Sequence, residues 1–311
     1  MKKKILLTGI TGFIGRYTAR KIIDQYEITA IVRPGTDEKK YIEFKNKINI
    51  VFFDLSDEMA LTSYLEKNIF DIILHIAALR AGRKFSKSEF VSVNVKATEF
   101  LIKSAIKNNS KFIFCSSVGV YGTIPLKLPA DLSTPYHDDN LYHRTKILCE
   151  EMILKAVTDN KLNACIVRPA ITYGDGDYGF THTLKKLVKN RCLLLPHKKI
   201  YIHLLNVNTA AEVFYRLLEY DYPYGKIWNL ADKEKVCFQE LACFLSDKQK
   251  LSIRYKTPDF VFKFILKIAK LLRNELWISR IELISNSWYF EVDDVYNEFA
   301  IKSYKTIPDI R

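Results

Sequence analysis

Three glycines spaced three apart, in Thr8-Gly9-Ile10-Thr11-Gly12-Phe13-Ile14-Gly15-Arg16, constrain this 311-residue chain more than any other feature. The apolar run Ile5-Leu6-Leu7 leads into them. A helical pattern leads out, from Phe13-Ile14 to near Tyr26, so the stretch reads as strand, tight turn and helix. Such a turn suits a diphosphate. Gly9 permits the sharp turn, Gly12 lets backbone come close to the phosphates, and Gly15 lets the helix lie on its strand, while the helix N-terminus offers unpaired N–H donors. Gly9, Thr11, Gly12, Phe13, Ile14 and Gly15 are therefore expected to hold a dinucleotide. The alternative, a plain strand-to-helix turn, loses ground because a second strand, Ile28 to Val32, follows where the motif requires one.

Just past that second strand stands Arg33, where an NAD-preferring chain places an acid against the ribose 2′-hydroxyl. A guanidinium suits a 2′-phosphate instead, so NADP is the expected cofactor, with Arg16 as a second contact. NAD stays the alternative, reached if Arg33 is a plain turn residue and Asp37 or Glu38 folds back. A third strand, 48 to 53, ends in Asp54-Leu55; Asp54 either accepts from an adenine amino group or caps the helix expected over 57–67. The fourth strand, 72 to 78, ends in the small pair Ala77-Ala78, which leaves room for a cofactor backbone, and its His75 reads as a packed core residue. A helix over Phe90 to Asn108 carries Asn94 among apolar neighbours, either satisfying a backbone group or positioning a water. The next strand, Phe112 to Cys115, delivers Ser116-Ser117 at its C-terminal end, where sheets of this kind bind ligands. Strands alternating with helices predict a doubly wound parallel sheet.

Tyr142 and Lys146 lie four apart on a predicted helix, hence on one face, and the ammonium favours the phenolate form of the tyrosine. With these residues the chain resembles the extended short-chain dehydrogenase/reductase family, which includes the NAD(P)-dependent epimerases and dehydratases. The likeness rests on the glycine turn, Asp54-Leu55, His75-Ile76-Ala77-Ala78, Asn94-Val95, Ser116 to Gly122, Tyr142 with Lys146, and Arg168 to Asp177. The resemblance implies Tyr142 as general acid/base, Ser117 on the substrate oxygen, and Lys146 on the nicotinamide ribose. It adds Leu55, Asn94, Tyr142, Lys146 and Arg168 to the cofactor contacts.

Three departures narrow the expected reaction. Dehydrating members carry Asp-Glu directly after the catalytic serine or threonine, and Val118-Gly119 stands here. The arginine that pairs with a nucleotide diphosphate before a His-Val-Asp-Asp-Val segment is missing from Ile202-His203 and Asn206 to Ala211. Arg33 in place of an acid argues for an NADP-linked reductase over a 4-epimerase that retains NAD. The expectation is thus a keto-reductase of a nucleotide-linked sugar. The alternatives are that epimerase, a reductase of a lipophilic ketone resembling dihydroflavonol reductases and 3β-hydroxysteroid dehydrogenases, and a non-catalytic cofactor-sensing or RNA-binding relative.

The expected fold is a Rossmann domain over 1–172 and a smaller, mainly substrate-binding domain over 173–311, interleaved with the last strands. Six cations between 181 and 199 (Lys185, Lys186, Lys189, Arg191, Lys198, Lys199) read as the wet face of a helix, with phosphate contact as the alternative; Arg80, Arg83 and Lys84 are a further candidate for anions. Helices are expected over 207–220 and 238–246 and a strand over 227–230. Residues 258–273 form a basic amphipathic helix, Lys263, Lys267 and Lys270 on one side and Phe260, Phe264, Ile268 and Leu271 on the other. It is expected to pack over the substrate cleft, with a membrane interface as the alternative. The net charge of +13 is spread without a long basic tract, so no nucleic-acid partner is expected. No run approaches 18 apolar residues, no leader follows the opening lysines, and six cysteines lack C-x-x-C spacing. A cytoplasmic chain without metal, homodimeric as the resemblance implies, is the corresponding expectation.

Overall fold

The computed structural model describes residues 1–80, 85–249, 256–302 and 304–310. Up to residue 115 the elements are β1 (Lys4–Thr8), α1 (Phe13–Ile22), β2 (Glu27–Val32), β3 (Asn49–Phe52), α2 (Glu58–Lys67), β4 (Ile72–His75), α3 (Lys87–Phe90), α4 (Ala97–Asn108) and β5 (Lys111–Cys115). There follow α5 (Leu141–Asn160), β6 (Ala164–Pro169), β7 (Ile171–Tyr173), α6 (Phe180–Lys189), β8 (Leu195–Pro196), β9 (Tyr201–Ile202), β10 (Leu204–Asn206), α7 (Val207–Glu219) and β11 (Lys226–Leu230). The last are β12 (Val236–Cys237), α8 (Phe238–Lys248), β13 (Lys256–Thr257), α9 (Asp259–Leu271), α10 (Glu275–Ser285), α11 (Asp293–Phe299) and α12 (Thr306–Asp309).

Seven strands form one sheet in the order β11-β6-β5-β4-β1-β2-β3, and every pairing from β6 to β3 is parallel. The chain builds outward from β1 to β3, returns to β4 on the other side of β1, and builds outward again. That reversal between β1 and β4 is the switch point of a doubly wound sheet, with ligand-binding turns beyond the strands' C-terminal ends. Leu6, Ile73, Phe112, Phe114 and Ile166 of the strands share one core with Leu101 of α4 and Ile153 of α5. These fully apolar strands need cover on both faces, as a parallel sheet demands.

The chain makes two compact units, each of three segments. The first is Met1–Val120, Leu141–Arg168 and Ala210–Trp228; the second is Tyr121–Asn140, Pro169–Thr209 and Asn229–Arg311. The first unit thus holds most of the sheet and gives up residues 121–140 to the second. The second is built round the buried Asp232, whose carboxylate accepts from the Tyr173 hydroxyl (2.8 Å), the Thr306 hydroxyl (2.7 Å) and the Asn206 N–H (2.8 Å). Burial outweighs those donors and pushes the carboxyl up to about 6. His203 accepts from the Phe290 N–H at Nδ1, so its Nε2 carries the proton donated to the Asp232 carbonyl.

Two elements differ from expectation. Helix α1 ends at Ile22, four residues before Tyr26: Gln25 N–H turns back to the Ile22 carbonyl (3.1 Å), and Tyr26 donates its hydroxyl to Glu219 (2.7 Å). The helix expected over Phe90 to Asn108 starts earlier, at Lys87, and runs on through a π-helical stretch, Val91–Lys96, between α3 and α4. The wider turn carries Asn94 inward, where it is buried.

His75 is buried at the end of β4 and joins three elements. Its Nδ1 lies 2.6 Å from the Thr8 hydroxyl of β1 and its Nε2 2.9 Å from the Thr98 hydroxyl of α4. Thr98 gives its own proton to the Asn94 carbonyl (2.5 Å), so it accepts from Nε2–H, and Nδ1 accepts from Thr8. Burial, aided by the nearby Lys146 ammonium, lowers this imidazole to about 3. A base depressed in the folded state confers stability present above its unfolded value, near 6.5, and lost as pH falls towards 3. Between pH 7 and pH 4.5 this group should cost the first unit roughly 3 kcal/mol at about 1.4 kcal/mol per unit. Urea unfolding at the two pH values should show that loss, and His75→Gln should remove that share of it.

Candidate functional site

The glycine turn leaves β1 at its C-terminal end. Gly9 has φ +84, and a Cβ there would sit 2.6 Å from the Ala77 nitrogen, because the tips of β1 and β4 meet at the switch point. A Cβ on Gly15 would sit 2.1 Å from the Gly9 carbonyl oxygen, and one on Gly12 would be 3.1 Å from it. The turn closes only with glycines at positions 9 and 15. Gly12 caps α1 without any side-chain hydrogen bond, and no acidic residue occupies the first turn. Main-chain donors facing outward at a positive dipole end fit the diphosphate of a dinucleotide. One turn in, the Arg16 Nε is buried without a hydrogen-bond partner among the described residues, an orphan cationic donor that suits a phosphate.

Beyond β2, Arg33 is exposed in a turn in which its carbonyl accepts from the Thr36 N–H and hydroxyl. The two acids that compete for the ribose are engaged locally. Asp37 accepts from the Lys39 N–H (3.0 Å), and Glu38 pairs with Lys45 (2.6 Å). Asp54 does not cap α2: Asp57 does, accepting from the Ala60 N–H, while Asp54 Oδ1 accepts from the Ser56 N–H and hydroxyl. Leu55 beside it is half-buried against the core. Ala77 and Ala78 are half-buried past β4, the Ala77 N–H donating to the Thr8 hydroxyl (3.2 Å). Asn94 clamps the segment that follows, accepting from the Leu79 N–H (2.8 Å) and donating to the Leu79 carbonyl and the Thr145 hydroxyl (3.0 Å each). Of its two readings, backbone satisfaction is the one the side chain performs.

The third group lies where β5 ends and α5 begins. Ser116 is buried and donates to Glu150, whereas the half-buried Ser117 accepts the Gly119 N–H at its Oγ (3.0 Å) and keeps a hydroxyl proton to give. A Cβ on Gly119 would strike the His143 ring at 2.4 Å, so this glycine lets the serine loop approach the first turn of α5. Tyr142 and Lys146 are one turn apart on α5, the tyrosine half-buried and the lysine buried with its Nζ donating to the Cys115 carbonyl (2.6 Å). The ammonium also stands 4.5 Å from the Phe114 ring centre. Arg168, 2% exposed, forms a fork onto Glu150, 0% exposed on side-chain area, with Nε 3.0 Å from Oε1 and a terminal nitrogen 2.5 Å from Oε2. Sequence reasoning assigned Arg168 to the cofactor and missed Glu150. The acid occurs four residues after Lys146, on the same helix face, at a position that faces the core.

Tyr142, Lys146 and Ser117 belong to the first unit with the glycine turn, Arg33, Asp54, Ala77, Ala78 and Asn94. Of the cations between 181 and 199, only Lys185 is half-buried and the other five are exposed. Arg80 is exposed too, while Arg83 and Lys84 lie outside the described residues. Among the described residues no cluster of three or more His, Cys, Asp or Glu could hold a metal, and no helix is long and apolar enough to cross a membrane.

Residues 5–231 match the NAD dependent epimerase/dehydratase family. The chain belongs to that family. A sterol-4-alpha-carboxylate 3-dehydrogenase (decarboxylating) of Candida albicans is 28% identical over 184 residues, 56% of this chain, and the chain spans about half of that enzyme, 52%. A UDP-glucose 4-epimerase of Vibrio cholerae is 25% identical over 253 residues, 78% of this chain and 74% of the epimerase. In fold, this epimerase/dehydratase relative superposes on the Bordetella bronchiseptica enzyme WbmH, solved with NAD+, at a TM-score of 0.78. That likeness covers 99% of this chain and 96% of WbmH at 16% identity.

Glu150 and Arg168 are together out of water, so removing one leaves the other as an uncompensated buried charge. Glu150→Ala should lower the stability of the first unit by about 3–5 kcal/mol, read from the urea midpoint, and should free the Ser116 hydroxyl at the base of the serine loop.

Proposed function

We propose that the chain is an NADP-linked oxidoreductase that moves a hydride at a secondary alcohol or ketone carbon, working as a keto-reductase of a nucleotide-linked sugar. What carries this reading is the pairing of Tyr142 and Lys146 on one face of α5, beside a serine loop that Gly119 lets close on that helix. A nicotinamide held here would supply the hydride. Tyr142 gives its hydroxyl proton to the ketone oxygen as hydride arrives, and the Ser117 hydroxyl donates to the same oxygen. Lys146, held by the Cys115 carbonyl, stands one turn from Tyr142 on the same helix face. Its remaining N–H donors suit the hydroxyls of the nicotinamide ribose.

NADP is supported by Arg33 at the end of β2, where Asp37 and Glu38 are both engaged elsewhere, and by the unpartnered Arg16 Nε. Dehydration is disfavoured because Val118 and Gly119, which stand where an acid and a base are needed, are buried and cannot titrate. The sugar substrate rests on similarity to nucleotide-sugar enzymes such as the Vibrio epimerase. The first unit carries the cofactor residues in this reading, and the second carries residues that choose the substrate.

Binding of NADPH should exceed that of NADH by about tenfold, some 1.4 kcal/mol, in a fluorescence titration, and Arg33→Ser should remove most of the difference. Tight NAD released on denaturing the purified protein would move the reading to a 4-epimerase. With a UDP-linked keto-sugar, Tyr142→Phe should slow NADPH oxidation by at least ~100-fold while the NADPH dissociation constant stays within about threefold. Undiminished turnover in that variant would remove Tyr142 from the mechanism.

A further inference from the structure

Helix α9 lies against α10 and buries Phe262 and Ala269. The apolar stripe of the helix expected to pack over the substrate cleft lies in water. Phe260 is 70% exposed, Phe264 64%, Ile268 38% and Leu271 82%, and Leu272 just past the helix is 63% exposed. At 100° per residue the first four fall on one strip along the axis. Lys263, Lys267 and Lys270 run along one border of that strip, all exposed, and Arg273 follows at the end. Lys270 also faces Glu282 of α10, whereas Asp259, 3.9 Å from Lys198, is the acid at the start of the helix. Two large aromatic rings and two aliphatic side chains in water are an unfavourable surface for a free monomer, and their lysine border dictates what can cover them.

We propose that α9 docks the protein on an anionic membrane surface, lying in the plane of the interface with Phe260, Phe264, Ile268 and Leu271 among the acyl chains and Lys263 and Lys267 among the headgroups. Charge complementarity selects this occupant. A second copy paired antiparallel across a two-fold axis would set the lysine border against its own image, in a chain that already carries a net charge of +13. A surface of anionic headgroups over hydrocarbon matches both the stripe and its border. Such docking sets where the protein works and is independent of the keto-reductase reading.

The test is co-sedimentation of the full chain with vesicles of phosphatidylcholine alone or mixed with phosphatidylglycerol. The protein should sediment with the mixed vesicles and at least about tenfold less with phosphatidylcholine alone. Phe264→Ser with Leu271→Ser should abolish sedimentation while NADPH affinity is kept, Lys263→Glu with Lys267→Glu should weaken it about tenfold, and Tyr142→Phe should sediment as the parent does. Failure to bind the anionic vesicles overturns the proposal. So does binding that survives the double serine variant, which would mean adsorption by charge alone. A dimer in sedimentation velocity that the serine variant dissociates, without vesicle binding, would overturn it in favour of a second copy.

Discussion

The first unit depends on one line of buried hydrogen bonds. It runs from the Ala77 N–H to the Thr8 hydroxyl, on to His75 Nδ1, then from Nε2–H to the Thr98 hydroxyl and the Asn94 carbonyl. Each hydroxyl both donates and accepts, so the order of protons has one solution, and it requires a neutral imidazole. A second proton on His75 would set a donor against the Thr8 hydroxyl and break the line at β1. The line fixes β1 against β4 at the switch point and fixes both to the helix that carries Asn94. Asn94 then holds Leu79 through its amide, so the backbone past β4 is tied down at two places. The glycine turn rests on this floor, and its close approaches at Gly9 and Gly15 leave no space for a Cβ.

A second buried assembly does the same for the serine loop. Glu150 gathers the Arg168 guanidinium of β6 and the Ser116 hydroxyl at the tip of β5, while Lys146, one turn earlier on the same helix, takes the Cys115 carbonyl. Two adjacent residues of one strand tip are therefore held by two successive turns of α5. Ser117 is the next residue and the first one not held from beneath. The contrast between Ser116 and Ser117 is thus one of geometry: the buried hydroxyl is committed to a carboxylate, and the half-buried one is available to a substrate.

The strand-turn-helix periods and the doubly wound, parallel class of the sheet were legible in the sequence because they rest on local rules: glycine sterics, runs of β-branched residues, and alternation with helical spacing. The roles of polar side chains were less so. Asn94 was ambiguous because nothing local distinguishes an amide that binds water from one that clamps a distant backbone, and its partner Leu79 lies fifteen residues away. Arg168 read as a cofactor contact because its acid, Glu150, hides in a helix whose periodicity marks the position only as buried. Asp54 read as a candidate cap because the sequence placed the helix start only near Asp57. Asp57 is extended, as an N-cap must be, and reaches the Ala60 N–H.

Helix α9 shows why an amphipathic pattern underdetermines burial. Its sequence holds enough apolar residues for two faces, one through Phe262 and Ala269 and another through Phe260, Phe264, Ile268 and Leu271. Spacing alone merges the two into a single broad apolar side, and the opposing lysines make that side look like the inside. The fold buried the narrower face, through Phe262 and Ala269. The bulkier aromatic face was left in water, where burial would be worth about 1.5–3 kcal/mol for each large side chain. A surface with that much unrealised stabilisation, edged by one sign of charge, is explained by a complementary surface outside the monomer rather than by the fold itself.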